Sequence, residues 1–274
     1  MKLFKINETK CTRCNICAKE CPTQVIEAAS KDNLPSPICD ADKSCIDCGH
    51  CVVVCPTGAF ELATMDPADC AVIQKELLPG DANVGEMLKS RRSVRRFADK
   101  PVSHEILADL LDVSTYSPTG SNKQQVHWTV FEKSKEVKNL SSLVIDWIKS
   151  LAGKIPDEAT AKRMGQIASS WDNGRDSILH GAPHLIVVHG QADLPSIMAD
   201  CIISLTYMEL YAFSKGLGTC WAGYLNAAAN AYGPLVDALN LPEGHKFFGA
   251  IMIGYPKYSY NLIPKRKSCN VQWH

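Results

Sequence analysis

The sequence predicts an α+β protein in two parts. A small cysteine-rich unit spans residues 1–65, a connector spans 66–84, and a larger α/β sandwich spans 85–274. Three observations lead there. Eight of the thirteen cysteines form two copies of one short pattern near the start. Beyond residue 84 the apolar residues recur with helical and strand periods in alternation. A chain of 274 residues, 46% of them hydrophobic, has enough apolar material for one small core and one of ordinary size.

The cysteine copies are Cys11-x2-Cys14-x2-Cys17-x3-Cys21-Pro22 and Cys45-x2-Cys48-x2-Cys51-x3-Cys55-Pro56. Each can supply four thiolates to an iron–sulfur cluster, because iron in such clusters prefers soft sulfur ligands and these spacings let three thiols on one tight loop face a common centre. A zinc module fits poorly, since it sets its ligands in well-separated pairs. A disulfide framework would call for secretion, and the start, Met1-Lys2-Leu3-Phe4-Lys5-Ile6, has no apolar core before charge returns. The strand-like stretches Val25–Ala28 and Ala59–Leu62 follow the two runs, so residues 1–65 are expected to form one pseudo-symmetric unit. A unit of that size has little core of its own, and its clusters are expected to staple it.

Met65-Asp66-Pro67-Ala68-Asp69 reads as the exit and Pro79-Gly80-Asp81 as part of the connector. Ser103 can cap a helix carrying Ile106, Leu107, Leu110 and Leu111. Strands are expected over Val126–Phe131, His184–His189 and Phe247–Gly254, the last a nearly continuous apolar run suited to a central position. Long helices are expected over Val137–Leu151, Ala159–Ser170 and Ser196–Lys215. The apolar stretch Ile197–Phe213 contains Asp200 and Glu209 and is shorter than a bilayer span. Formal net charge is zero, which gives no electrostatic argument for nucleic acid or an anionic membrane as partner. A cytoplasmic protein is expected.

Three elements of the second part suit a phosphate-bearing planar cofactor. Arg91-Arg92-Ser93-Val94-Arg95-Arg96-Phe97 sets four guanidinium groups and a hydroxyl close together, and arginine pairs bidentately with phosphate. Ser117-Pro118-Thr119-Gly120-Ser121-Asn122-Lys123-Gln124 is a turn rich in hydrogen-bonding groups before a strand. Gly216-Leu217-Gly218-Thr219-Cys220-Trp221-Ala222-Gly223 lets backbone approach a flat ligand. Its glycine spacing is not that of a dinucleotide fingerprint, and a helix, not a strand, precedes it.

In this order, with Gly249–Pro256 and the terminal Pro264-Lys265-Arg266-Lys267, these elements resemble the FMN-dependent nitroreductase family over residues 85–274. The first part resembles the bacterial two-cluster ferredoxins, and the whole chain resembles the ferredoxin–nitroreductase fusions. The first resemblance implies a sandwich around a mixed, mainly antiparallel sheet. It also implies a homodimer with FMN at the subunit interface, the loop of Pro118, Thr119, Gly120 and Asn122 reaching the flavin of the other subunit. Arg91, Arg92, Ser93, Arg95 and Arg266, with Lys265 a weaker candidate, would hold the phosphate and ribityl chain. Asn122 and Gln124 would contact the ribityl and ring region, and backbone at Cys220, Trp221, Ala222 and Gly223 would face the isoalloxazine. The second resemblance implies two [4Fe-4S] clusters with crossed ligands. One takes Cys11, Cys14, Cys17 and Cys55; the other takes Cys45, Cys48, Cys51 and Cys21. Gln125 departs from the proline common in the family, and Ala222 from the acidic residue of one branch.

The function so implied is an oxidoreductase that passes electrons between two clusters and FMN and reduces a small electron-poor molecule of nitroaromatic, quinone or enone type. NAD(P)H or a ferredoxin would be the donor. The competing readings are an electron carrier, which predicts clusters without flavin, and a redox sensor, which would bring a signalling or nucleic-acid module. Other residues receive plainer readings. Cys39, Cys70, Cys201 and Cys269 are taken as free thiols, His50 as a hydrogen-bonding neighbour of its cluster, and His180, His184 and His189 as structural. Trp171 and Trp221 are core or substrate platforms. Specificity is expected within residues 140–180.

Overall fold

Residues 2–274 are described by a computed structural model, in which the chain packs as two units. One holds the residues up to Pro79 together with Ser121–Lys123; the other holds Gly80–Gly120 and Gln124–His274.

The first unit contains β1 (Phe4–Ile6), α1 (Ile16–Glu20), β2 (Ile26–Glu27), β3 (Ser36–Pro37), α2 (Ala41–Ser44), α3 (His50–Val53) and β4 (Phe60–Leu62). β1 pairs antiparallel with β4, and β2 with β3. The internal repeat is written into the backbone. Arg13, Asn15 and Gln24 are left-handed at φ 56°, 61° and 55°, and their counterparts in the second run, Asp47, Gly49 and Gly58, are left-handed at 52°, 71° and 59°. A left-handed residue reverses the chain sharply, so each run wraps its thiols inward. Phe4, Val25, Ile26, Ala41, Val52, Phe60 and Leu62 form the small core, with the Phe4 and Phe60 rings 4.5 Å apart. Met65 and Cys70 pack on that core, and Met65 fills the space a side chain at Gly49 would need. The segment expected as a connector over 66–84 is therefore divided. Its first part, to Pro79, packs with the cysteine runs, and its end starts a helix.

The second unit contains α4 (Asp81–Ser90), α5 (His104–Ser114), β5 (His127–Phe131), α6 (Ser134–Ser150), α7 (Glu158–Asp172), β6 (His184–Gln191), α8 (Ile197–Ser214), β7 (Gly218–Trp221), α9 (Gly223–Ala229), α10 (Gly233–Leu239) and β8 (His245–Gly254). The Ser103 hydroxyl accepts from the Ile106 amide and caps α5. The sheet runs β5-β6-β8-β7 with every neighbouring pair antiparallel; a parallel pairing is made by an isolated bridge between Ser93 and Thr219. Alternate residues of the central strands serve two cores. Leu185, Val187, Ala250 and Met252 face α6, α7, α9 and α10, whereas Ile186, Val188, Ile251 and Ile253 face α5 and α8. This sheet between two helix layers is the expected sandwich.

β7 is where the structure departs from the sequence reading. The glycine-rich element, read as letting backbone approach a flat ligand and not expected as a strand, continues as an edge strand, because β8 offers its backbone groups on one side and Ser93 pairs on the other. Among the described residues α8 is the helix long and apolar enough to cross a membrane. It packs instead between the sheet and α5, with Asp200, Ser204 and Glu209 buried along it.

Candidate functional site

The eight repeat cysteines of the first unit line two cavities. Cys11, Cys14, Cys17 and Cys55 face one; Cys21, Cys45, Cys48 and Cys51 face the other. Each cavity thus takes three thiols from one run and the fourth from the other. No three His, Cys, Asp or Glu side chains among the described residues converge on a single-ion position. Four thiols spread around a cavity suit a multi-iron cluster, whose irons are spread as well. Burial, with repulsion from Cys48 and other contributions, pushes the Cys51 thiol up to about 12, and burial also raises Cys17. Thiols in such surroundings ionise only if a cation compensates them, which bound iron would do. The Cys55 sulfur accepts from the Ala59 amide, and backbone and Thr57 hydrogen bonds outweigh burial to lower its pKa. Cys39 is exposed, beside Asp40. His50 borders the second cavity, with Nδ1 3.3 Å from the Cys48 carbonyl oxygen.

In the second unit the arginine run lies along β7. The Val94 amide donates to the Thr219 carbonyl at 2.8 Å, and Ser93 bridges Thr219. The Val94 side chain sits on Gly218, where an added Cβ would lie 2.5 Å from it. Two segments more than a hundred residues apart are thereby laid side by side. A cleft next to them is lined by Arg91, Arg92, Val94, Phe213, Gly218 and Thr219. Arg92 Nε donates to the Arg91 carbonyl, which shapes the run, and Arg95 is exposed. Burial pushes the Cys220 thiol up, with Arg95 and the Ser93 hydroxyl opposing; it stays a thiol and offers no nucleophile. Ala222 is buried at the head of α9, whose first residue is Gly223. Trp221 is 37% exposed, and its indole N–H donates to Glu209 at 3.4 Å.

The first part of the loop, residues 117–120, is fastened to α8. The Gly120 amide donates to Asp200 at 3.0 Å, and the Ser117 hydroxyl donates to Ser204, which donates to the Ser114 carbonyl. Ser121, Asn122 and Gln124 are all left-handed, an uncommon density of positive φ for non-glycine residues and a mark of imposed conformation. Gln125 in place of proline is consistent with this, since a proline would drive Gln124 towards extended backbone. The Gln124 amide donates to the Thr119 hydroxyl. Asn122 belongs to the first unit by packing, and its Nδ2 donates to the Ile46 and Asp47 carbonyls at 3.3 and 2.8 Å. Arg266 lies in the exposed segment after β8 and forms no ion pair among the described residues.

Sequence reasoning missed the buried polar residues of α8. Asp200, Ser204 and Glu209 hold the loop and the arginine run, and their spacing of four and five along an apolar helix was the available signal. Of the singled-out histidines, His184 and His189 are held in structural contacts. His184 is buried, taking the Val102 amide on Nε2 and lying 2.7 Å from the Glu132 carbonyl oxygen through Nδ1, and burial lowers its pKa. His180 is lowered by burial, with Asp176 opposing and Arg95 adding to it. His189 packs with His127 and His245, its Nδ1 2.9 Å from that of His245. Burial, then the two neighbouring rings, push it from 6.5 to about 4.

That depressed value has a stability consequence. The unfolded chain takes a proton that the folded chain resists, so this contribution is full above about pH 6.5 and is lost as pH falls towards about 4. His189→Gln is expected to remove on the order of 1–2 kcal/mol of the acid-induced loss between those values. Urea midpoints of wild type and variant at pH 7 and pH 5 check it; identical drops in the two proteins would count against the assignment.

Fold and site together define a redox protein with a cysteine-cluster module and a phosphate-cofactor sandwich. The chain matches the nitroreductase family over residues 88–255 and the 4Fe-4S dicluster domain over residues 10–59. It belongs to the nitroreductase family, a family of FMN-dependent oxidoreductases, with a dicluster ferredoxin domain fused at its N-terminal side. A protein of Methanothermobacter thermautotrophicus named for NADH dehydrogenase/NAD(P)H nitroreductase activity is 25% identical over 178 residues, 64% of this chain and 78% of that protein. The iodotyrosine deiodinase of Nematostella vectensis is 22% identical over 191 residues, 67% of this chain and 70% of its own. The crystal structure of a Bacteroides fragilis nitroreductase with bound FMN shares the fold, with a TM-score of 0.56 and 23% identity over 70% of this chain and 96% of that one.

Proposed function

We propose that this chain is an iron–sulfur flavoprotein that carries two [4Fe-4S] clusters and FMN and reduces a small electron-poor molecule of nitroaromatic, quinone or enone type. When bound, the clusters supply one-electron transfer and FMN couples it to two-electron reduction of the substrate. Cys11, Cys14, Cys17 and Cys55 are assigned to one cluster, and Cys21, Cys45, Cys48 and Cys51 to the other. Arg91, Arg92, Ser93 and Arg95, with Arg266, are assigned to the FMN phosphate and ribityl chain. The loop from Pro118 to Gln124 and the backbone of Cys220 to Gly223 are assigned to the ring side, in a homodimer that shares its flavin sites between subunits. The single observation that carries this reading is the pairing of Ser93 and Val94 with Thr219, which sets a phosphate-type arginine run beside the glycine-led strand. Burial keeps the Cys220 thiol protonated and the flavin carries the redox chemistry, so the residues' work is binding and orientation. The α6–α7 pair, with an apolar cleft lined by Ile148, Leu151, Ile155 and Met164, is the proposed specificity region. NAD(P)H and a reduced ferredoxin are the proposed donors.

Anaerobic purification followed by iron, sulfide and acid-released flavin measurement on one sample tests the proposal. The expected result is roughly eight irons and one FMN per chain. Full iron with no flavin, even after reconstitution with FMN, would reduce the protein to an electron carrier.

A further inference from the structure

Glu209 is the buried charge to which both cofactor segments of the second unit are tied. Its side chain is 9% exposed and that of Arg91 23%. Oε1 accepts from Arg91 Nη1 at 3.2 Å and from the Thr219 hydroxyl at 2.9 Å, and Oε2 accepts from the Trp221 indole N–H at 3.4 Å. Three donors from two distant segments therefore meet one carboxylate on α8. A buried carboxylate without such partners carries a heavy desolvation penalty, so it favours the arrangement in which both segments are seated at once. A guanidinium has five N–H donors in a rigid fork. Bonding one nitrogen to Glu209 leaves others to face an anion and removes much of the side chain's freedom before the anion arrives.

We propose that Glu209 is a positioning residue for the FMN site. It braces Arg91 for the phosphate and Trp221 for the ring side, and so couples the two ends of the site. This rests on the assignment of FMN to these segments. The opposing effect is charge. Glu209 offsets part of the positive field of Arg91, Arg92 and Arg95, so its removal strengthens bare attraction for phosphate. Bracing is expected to win, because Arg92 and Arg95 keep their charges while Arg91 loses its fixed geometry.

The test uses the full chain with its clusters in place and the flavin removed, titrated with FMN. Glu209→Leu is expected to weaken FMN binding roughly ten- to hundredfold, and Glu209→Gln, which keeps one acceptor, by less than about tenfold. The decisive readout is a double-mutant cycle with Arg91→Ala. If Glu209 acts mainly through Arg91, adding Glu209→Leu to the Arg91→Ala protein costs less than about threefold, whereas a merely structural role gives the same penalty in both backgrounds. Should the leucine variant fail to fold, the glutamine variant takes its place in the cycle. Unchanged affinity in the single variant, or a fully additive cycle, overturns the inference while leaving the FMN assignment standing. A wild-type protein that takes up no FMN overturns both.

Discussion

A Cys11→Ala/Cys55→Ala double variant is expected to keep one cluster, with iron falling from roughly eight to roughly four per chain, whereas Cys11→Ala/Cys21→Ala is expected to lose both. Cys55 belongs to the second run by sequence, yet lines the cavity with Cys11, Cys14 and Cys17, and Cys21 lines the one with Cys45, Cys48 and Cys51. Two substitutions in one cavity spoil one cluster; two in different cavities spoil both. If each run instead served its own cluster, the results would swap, with the Cys11/Cys55 pair losing all iron. The loss should also propagate to folding. The core of this unit is little more than Phe4, Val25, Ile26, Val52, Phe60 and Leu62, and so small a core leans on its clusters. Iron analysis and the visible absorbance of anaerobically purified variants decide the outcome.

Gly218→Ala is expected to destabilise the second unit by about 1–3 kcal/mol and to strip its flavin. Gly218 has no need of glycine for its backbone angle; its lack of a side chain matters because Val94 occupies the space, with Cγ2 2.5 Å from where a Cβ would stand. A methyl group there separates the arginine run from β7, lengthening the bond from the Val94 amide to the Thr219 carbonyl and dislodging Arg91 and Ser93. Val94→Gly in the same chain removes all three crowding atoms, the Cβ at 2.7 Å among them, and is expected to recover flavin content, less the roughly 1 kcal/mol or more typical of a truncated core side chain. Melting temperature and bound flavin report on the two variants. A Gly218→Ala protein with wild-type flavin and stability would mean that the close contact does not govern the site.

Much of this architecture is legible in the amino-acid sequence. Cysteine runs announce themselves because cluster ligation demands thiols at short, fixed intervals. The central strands β6 and β8 read as apolar runs because both their faces are covered. α6 and α7 show the helical period of surfaces buried on one side. β7 is not legible as a strand, since Gly218, Thr219, Cys220 and Trp221 are too few, and led by a glycine, to show a clear alternation; its strand character comes from its neighbours β8 and Ser93. The conformation of the loop at Ser121, Asn122 and Gln124 is equally hidden, because left-handed backbone at non-glycine residues is imposed by surrounding bonds and is no preference of their own.

Residue type and spacing set which chemistry the chain can offer: eight thiols in two equivalent loops, a guanidinium run, a glycine-led segment and the order of helices and strands that carries them. These follow from residue type and local spacing, which depend on neighbours along the chain. Packing across the fold settles which thiols share a cavity, that the arginine run lies on β7, and that Asp200 and Glu209, met in sequence as charges within an apolar stretch, anchor the cofactor segments together with Ser204. Those outcomes turn on packing between residues far apart in the chain. Whether a methyl group fits at Gly218 or a buried carboxylate finds three donors is set by where the whole fold brings them, not by the residues that flank them.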